Sequence, residues 1–298
     1  MVILHIDTGA EMRGGQWQAF YLLRGLAEAG HAVRLLAPGG SPLLQAAQAQ
    51  QLDARRLRWT AIPAALSGAD LVHAHDARAH TLGLFLGKSL VVSRRVAFPV
   101  RRGWPSRWKY RRASHFIAVS QFVKGELLDA GVPAGRISVV YDAVPGYVSE
   151  SDAERTRVIA LDSEDPAKGK RILEQAAALA DVPVHFSKNL TRDLPRAALF
   201  VYITESEGLG SAALLAMAHG APVLASRVGG LPEIVQDGVT GLLTSNQPED
   251  IARAMQHLLA DRTLAARLAA RAKARVEKEF TIERMVSATA AIYERILS

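Results

Sequence analysis

At 298 residues the chain is long enough for two domains with cores of their own, and with 49% hydrophobic and 22% charged residues it is neither disordered nor fibrous in composition. It contains no cysteine, which excludes a disulfide framework, a thiolate nucleophile and a Cys-ligated metal. The formal net charge of +7 is uneven: residues 1–145 hold 18 Lys+Arg against 9 Asp+Glu, the remainder 18 against 20.

Residues 2–7 read as a buried strand, too short and too bare of preceding basic residues for a signal peptide. No apolar run approaches the roughly 18–20 residues that span a bilayer, so a soluble or peripheral protein is expected, and the absence of cysteine fits a cytoplasmic one. A loop over 8–15 precedes a helix over 16–29. That helix spaces Trp17, Phe20, Tyr21, Leu23, Leu26 and Ala27 near 3.6 residues and stops at Gly30. With a strand over 31–37, this β-loop-α-β opening points to a parallel, doubly wound sheet. The loop carries Gly14-Gly15 but no G-x-G-x-x-G, and no acid stands at the ribose position of a dinucleotide fold, which argues against a nicotinamide enzyme. A short helix is expected over 43–53, then a strand over 70–74 running into His75-Asp76. His73 and His75 are expected to face opposite ways. A histidine at such a place is commonly a satisfied structural residue, although the ends of parallel strands are also where these folds bind ligands.

Between residues 77 and 125 there is no acid, and there are eleven Lys and Arg. Arg94, Arg95, Arg101, Arg102, Arg107, Lys109, Arg111 and Arg112 alternate with Phe98, Trp104, Trp108 and Tyr110. Basic residues mixed with aromatics suit an anionic membrane surface. The same composition suits an acidic acceptor, a nucleic acid, or a solvated face over a buried aromatic layer. Strands follow over 116–120 and 136–141 with a helix over 121–130 between them. A polar linker over 145–155 leads to a second domain, with a strand over 157–161, a helix over 167–180, and strands over 182–186 and 199–203.

The most informative stretch begins at Thr204. Glu205 and Glu207 precede Gly208-Leu209-Gly210, a helix over 211–219 ends at Gly220 with Pro222 beyond, and a strand over 223–225 leads to Gly229-Gly230. Such a loop leaves backbone N–H groups bare at a helix start, which suits a phosphate, and Glu207 can accept hydrogen bonds from hydroxyl groups. An ordinary βαβ turn has similar glycines. A strand over 241–243 and helices over 248–259, 262–280 and 282–296 complete the chain.

The Glu-Gly-x-Gly turn, the Ala-Met-Ala-x-Gly-x-Pro-Val helix exit and the Gly-Gly-x-x-Glu-Ile-Val tail together resemble the donor-site signature of glycosyltransferase family 4, a large retaining GT-B family. The resemblance implies an α/β protein of two Rossmann-like, doubly wound parallel-sheet domains facing a cleft. The boundaries expected are an acceptor-side domain over 1–147, a reduced nucleotide-sugar domain over 148–280, and a helix over 281–298 crossing back to the first. It implies metal-independent, hexosyltransferase-type chemistry with a nucleotide-diphospho-sugar donor and no further cofactor. Carried onto matching positions, it assigns Glu207, Lys168 and His75 to the catalytic centre. Gly208, Leu209, Gly210, Ser211, Lys170, Gly229 and Gly230 fall on the donor side. Gly14, Gly15, His75, Arg94 and Arg95 fall on the acceptor side.

The sequence also departs from the family. Ser163 stands where the family carries a phosphate-binding Arg, Leu215 where it carries a ribose-binding Glu, and Asp142-Ala143 where it carries Asn-Gly. About a dozen residues join strands 182–186 and 199–203, which implies a missing βα unit. Lys170 or Lys188 could stand in for the lost charge. The resemblance therefore leaves two readings. One is a transferase acting on a lipid-linked or anionic glycan acceptor at an anionic membrane surface reached through residues 94–112. The other is a catalytically weakened accessory or lipid-surface-binding relative. A nucleic-acid partner is not expected, because no recognised module is present.

Overall fold

The structure, a computed structural model, describes residues 1–100, 103–146 and 154–298. Arg101 and Arg102 of the basic stretch, and residues 147–153 of the expected linker, lie outside the described residues. The chain divides into two compact units, residues 1–143 with 282–298, and residues 144–281.

The first unit alternates strands and helices: β1 (Val2–Ile6), α1 (Gly14–Glu28), β2 (Ala32–Ala37), α2 (Pro42–Ala49), β3 (Asp53–Arg56), α3 (Ile62–Leu66), β4 (Leu71–Ala74), α4 (Ala77–Gly83), β5 (Ser89–Arg94), α5 (Trp104–Arg112), β6 (His115–Ala118), α6 (Gln121–Asp129) and β7 (Ile137–Val139). The strands form one parallel sheet in the order β3-β2-β1-β4-β5-β6-β7. β1 and β4 are buried along most or all of their length, which is why they read as continuous apolar runs rather than alternating ones. The order reverses between β1 and β4, and that reversal opens a crevice at the carboxyl ends of these two strands.

The second unit comprises β8 (Arg157–Leu161), α7 (Lys170–Ala180), β9 (Val184–Ser187), α8 (Leu190–Asp193), β10 (Ala197–Tyr202), α9 (Ser211–Ala218), β11 (Val223–Ser226), α10 (Leu231–Ile234), β12 (Leu242–Thr244), α11 (Pro248–Ala260) and α12 (Arg262–Glu279). Its five parallel strands run β12-β11-β10-β8-β9, so the order reverses between β8 and β10. The last helix, α13 (Ile282–Leu297), belongs to the first unit and packs on α1. Gly25 makes that packing possible: a Cβ there would lie 2.5 Å from Val286 Cγ2. Tyr293, fully buried, hydrogen-bonds the His73 ring at 2.5 Å and so anchors α13 to β4.

Two sequence expectations need correction. The helix expected over 43–53 stops at Ala49, and Asp53–Arg56 is instead the edge strand β3. Only Ala54 of that strand is buried, so it carries almost no apolar signal. His73 and His75 do not face opposite ways. Residues two apart on a strand share a face, and their rings lie 4.3 Å apart. Elements β5, α4 and α5 lie inside the stretch that the sequence presented only as a composition.

Candidate functional site

In the second unit the two loops that leave β8 and β10 meet at the reversal of strand order. The Glu205 amide donates to the Ala167 carbonyl at 2.8 Å, and the Thr204 hydroxyl donates to the same carbonyl at 3.0 Å. Behind them the Ser226 hydroxyl accepts from the Thr204 amide at 2.9 Å and donates to Asn246 Oδ1 at 2.6 Å. Asn246 Nδ2 in turn donates to the Thr204 carbonyl at 2.9 Å. This network fixes the loop that presents Glu207.

Lys168 and Glu207 are thereby brought together. Lys168 Nζ lies 2.7 Å from Glu207 Oε2, with the two side chains 26% and 15% exposed. The Tyr202 hydroxyl donates to the same Oε2 at 2.5 Å and accepts from Lys168 Nζ at 3.4 Å. Burial first, then the Glu207 charge, raises the Tyr202 hydroxyl well above its ordinary pKa, so it remains a donor throughout the neutral range. Tyr202 is the member of this cluster that the sequence did not single out. Only its place at the end of a strand entering the Thr204 loop could have drawn attention to it.

Gly208, Leu209, Gly210 and Ser211 lead directly into α9, whose N-cap, Gly210, supplies no side-chain cap. The first amides of this helix lack carbonyl partners within the helix itself, and they carry the positive end of its dipole beside Glu207. Gly229 and Gly230 support this loop from behind. The Gly230 amide donates to the Glu207 carbonyl at 3.0 Å. A Cβ on Gly229 would sit 2.0 Å from the Glu207 carbonyl oxygen, and one on Gly230 2.2 Å from that of Gly208. Gly229 also adopts φ 55. The pair therefore holds the loop by close backbone approach. Lys170 stands apart from the cluster, paired with Asp162 at 2.7 Å. Leu215 lies in α9 and offers no hydrogen-bonding group where the family carries Glu.

The first unit gathers a second group at its own reversal point. His75 Nε2 lies 2.9 Å from His5 Nδ1, and His75 Nδ1 lies 3.5 Å from an Arg95 guanidinium nitrogen. Arg95 is held by Asp142 at 3.0 Å in a nearly buried pair. Gly15, in the first turn of α1, lies against Arg95: a Cβ there would be 3.9 Å from its Cδ. Gly14 opens the same helix. Asp7, at the end of β1, accepts from the Gly9 amide at 2.7 Å and from Gln16 Nε2, and burial raises its carboxyl pKa. Asp76 binds Thr8 through both its amide and its hydroxyl and caps α4. Neither carboxylate stands among the site residues expected from the sequence.

Arg94 does not join this group. It turns to the Tyr110 hydroxyl at 2.7 Å and to the Phe98 carbonyl. Tyr110 stacks on Phe116, with ring centroids 5.3 Å apart, whereas Trp104 on the same helix is 78% exposed. The aromatic residues of the basic stretch thus divide between interior and surface.

Ring nitrogens of His5, His73 and His75 all lie within 4.8 Å of one another, close enough to consider a metal ion. The set does not suit one. His73 already uses both nitrogens, on Tyr293 at 2.5 Å and Ser93 at 2.8 Å, and the Arg95 guanidinium repels a cation. Burial, then the neighbouring rings, holds His73 and His75 neutral with pKa values well below 6.5, and His5 falls to about 3.

Comparison with known proteins fits this arrangement. The family model described as Glycosyl transferases group 1 matches residues 112–261, and that described as Glycosyltransferase Family 4 matches residues 12–145. The chain belongs to the glycosyl transferases group 1 family. A D-inositol 3-phosphate glycosyltransferase from Streptomyces bingchenggensis is 33% identical over 186 residues, which is 55% of this chain and 40% of that protein's own length. Anabaena HepE, solved with UDP and glucose, superposes with a TM-score of 0.81 at 18% identity, covering 99% of this chain and all of HepE. WaaG, a glycosyltransferase involved in lipopolysaccharide biosynthesis, superposes with a TM-score of 0.71 at 14% identity, covering 98% and 99%. These superpositions establish a shared fold, the GT-B architecture of two parallel-sheet α/β domains.

Proposed function

We propose that this family member is a retaining, metal-independent glycosyltransferase. It moves a hexose from a nucleotide-diphospho-sugar to a lipid-linked or anionic glycan acceptor at the inner face of a membrane. The observation that carries the reading is the Lys168–Glu207–Tyr202 cluster, placed at the strand reversal of the second unit beside the uncapped start of α9.

The donor pyrophosphate rests on the amides at the start of α9, and Lys168 offsets the charge that develops on the departing phosphate. Glu207, oriented by Tyr202, accepts hydrogen bonds from the donor sugar's hydroxyl groups. A donor phosphate competes with Glu207 for Lys168, so binding exchanges one charge-assisted contact for another. The acceptor is held by the first unit, around Gly14, Gly15, His75 and Arg95, with Arg94 on its flank. In the transfer step the acceptor oxygen bonds to the anomeric carbon, the bond from that carbon to the phosphate oxygen breaks on the same face, and the departing phosphate takes the acceptor proton. Residues 1–147 and 148–280 serve as the acceptor and donor domains. The accessory-protein reading draws its support from the Lys170–Asp162 pair, which occupies a candidate substitute cation, and from Leu215.

The test is calorimetric titration with UDP, GDP, ADP and CMP, followed by sugar conjugates of whichever binds. UDP comes first because HepE was solved with it. Selective binding that disappears in Lys168→Ala is expected. Absence of binding at millimolar nucleotide would favour the accessory reading.

A further inference from the structure

Outside both groups described above lies an apolar groove of about 550 Å³ in the first unit, lined by Leu57, Trp59, Ile62, Leu82 and Phe85, with Arg58 and Arg78 among its walls. Its volume falls within the roughly 300–1,000 Å³ that seats small ligands. One wall is a single helical face: Arg78, Thr81, Leu82 and Phe85 recur at i, i+3, i+4 and i+7 along α4 and the turn that follows it. The facing wall is the connection from β3 into α3. Trp59 is 80% exposed and Phe85 72% exposed, although both are large and apolar. Neither Arg58 nor Arg78 has an ion-pair partner among the described residues.

The groove is continuous with the basic, aromatic helix α5. Lys109 Nζ donates to the Thr81 hydroxyl at 2.8 Å and to the Ala77 carbonyl at 2.6 Å. The Phe85 and Trp108 rings lie 6.5 Å apart, and Arg112 lies over Trp108 at 4.9 Å. One surface thus combines an apolar slot, standing aromatic side chains and cationic groups, with no acid anywhere from residue 77 to residue 125. A helix from a protein partner would need acidic flanks to match this rim. A bilayer supplies negative phosphates and hydrocarbon together, at a spacing set by the lipid itself.

We propose that the groove between α4 and residues 57–62 seats an acyl chain of an anionic bilayer lipid, with its phosphate between Arg58 and Arg78. This deepens the membrane-side reading of the proposed function and rests on it. Because α4 is capped by Asp76, next to His75, a lipid held there docks the first unit with its acceptor group near the membrane surface.

The experiment uses the full chain and sedimentation with phosphatidylglycerol vesicles and with neutral phosphatidylcholine vesicles. Tryptophan quenching by lipids brominated along the acyl chain is read in parallel. Trp59→Ser combined with Phe85→Ser changes only exposed side chains and leaves the net charge unaltered, so the fold and the electrostatic attraction to the vesicle are preserved. We expect this variant to bind phosphatidylglycerol vesicles at least about tenfold more weakly, the effect of losing one well-buried apolar side chain. With Trp104 and Trp108 both replaced by Phe, we expect a further Trp59→Phe to remove most of the bromolipid quenching that remains. If that double variant binds like wild type while Trp104→Ala with Arg111→Glu and Arg112→Glu releases the protein, the groove proposal is overturned and the membrane reading stands. Wild type that binds neither vesicle overturns both. Equal binding to neutral vesicles overturns the role given to Arg58 and Arg78.

Discussion

Lys168 and Glu207 lie 39 positions apart in sequence, yet their charged atoms meet at 2.7 Å with Tyr202 bonded to both. If the cluster binds the donor, Lys168→Ala removes the cation facing the leaving group, and Glu207→Gln removes the charge that orients both neighbours. Each is expected to lower transfer at least about tenfold, equivalent to about 1.4 kcal/mol of transition-state stabilisation. Steady-state turnover of the purified variants checks this, and unchanged rates in both would remove the cluster from the mechanism. Tyr202→Phe keeps the ring and deletes the hydroxyl. A smaller loss is expected, confined to kcat if Tyr202 acts by aiming Glu207. The Lys–Glu pairing was accessible from sequence only through the family resemblance. Tyr202 was not, because a tyrosine at the end of a buried strand looks like any other core residue until its hydroxyl is seen to have a carboxylate partner.

At the scale of elements, the paired glycines act as spacers between two loops. Gly229→Ala would drive a methyl group into the Glu207 carbonyl, with its Cβ 2.0 Å from that oxygen, in a left-handed backbone that disfavours side chains. We expect a lower melting temperature and loss of nucleotide binding together, read by thermal denaturation with and without ligand. The buried histidines make a second prediction. His5 and His80 have folded pKa values of about 3, below the ordinary 6.5, so the unfolded state takes up protons first as pH falls. Their contribution is complete above pH 6.5 and is lost progressively between 6.5 and about 3. In that window each costs up to about 1.4 kcal/mol per pH unit. Urea denaturation at pH 7.5 and pH 5 is expected to show the stability falling with acidification, and pH-independent midpoints would contradict the neutral, buried state of these rings. Helices and buried strands were largely legible from apolar periodicity. The edge strand β3 was not, because its pairing is decided by backbone hydrogen bonds to β2 rather than by its own polar sequence.

At the scale of the whole molecule, the excess positive charge resides in residues 1–145, so association with an anionic surface should be electrostatic and sensitive to salt. Co-sedimentation with anionic vesicles that weakens from low to physiological salt is expected, without comparable binding to DNA or RNA. Salt-dependent binding to nucleic acid in place of vesicles would reverse the assignment of the basic stretch. Among the described residues no helix is long and apolar enough to cross a membrane. The sequence alone determined the alternation of strands and helices, the parallel sheets this implies, and the glycine-punctuated loop at 204–211, because periodicity and turn chemistry are local properties. Only the tertiary structure decided which side chains share a site. Strand order brings the ends of β8 and β10, and of β1 and β4, side by side, and Arg95, Asp142 and His75 become neighbours because the sheet packs three separate stretches together. The same folding sets Arg94 aside on Tyr110 and exposes Trp59 and Phe85 along one groove, outcomes that depend on which face of each element the core has already taken.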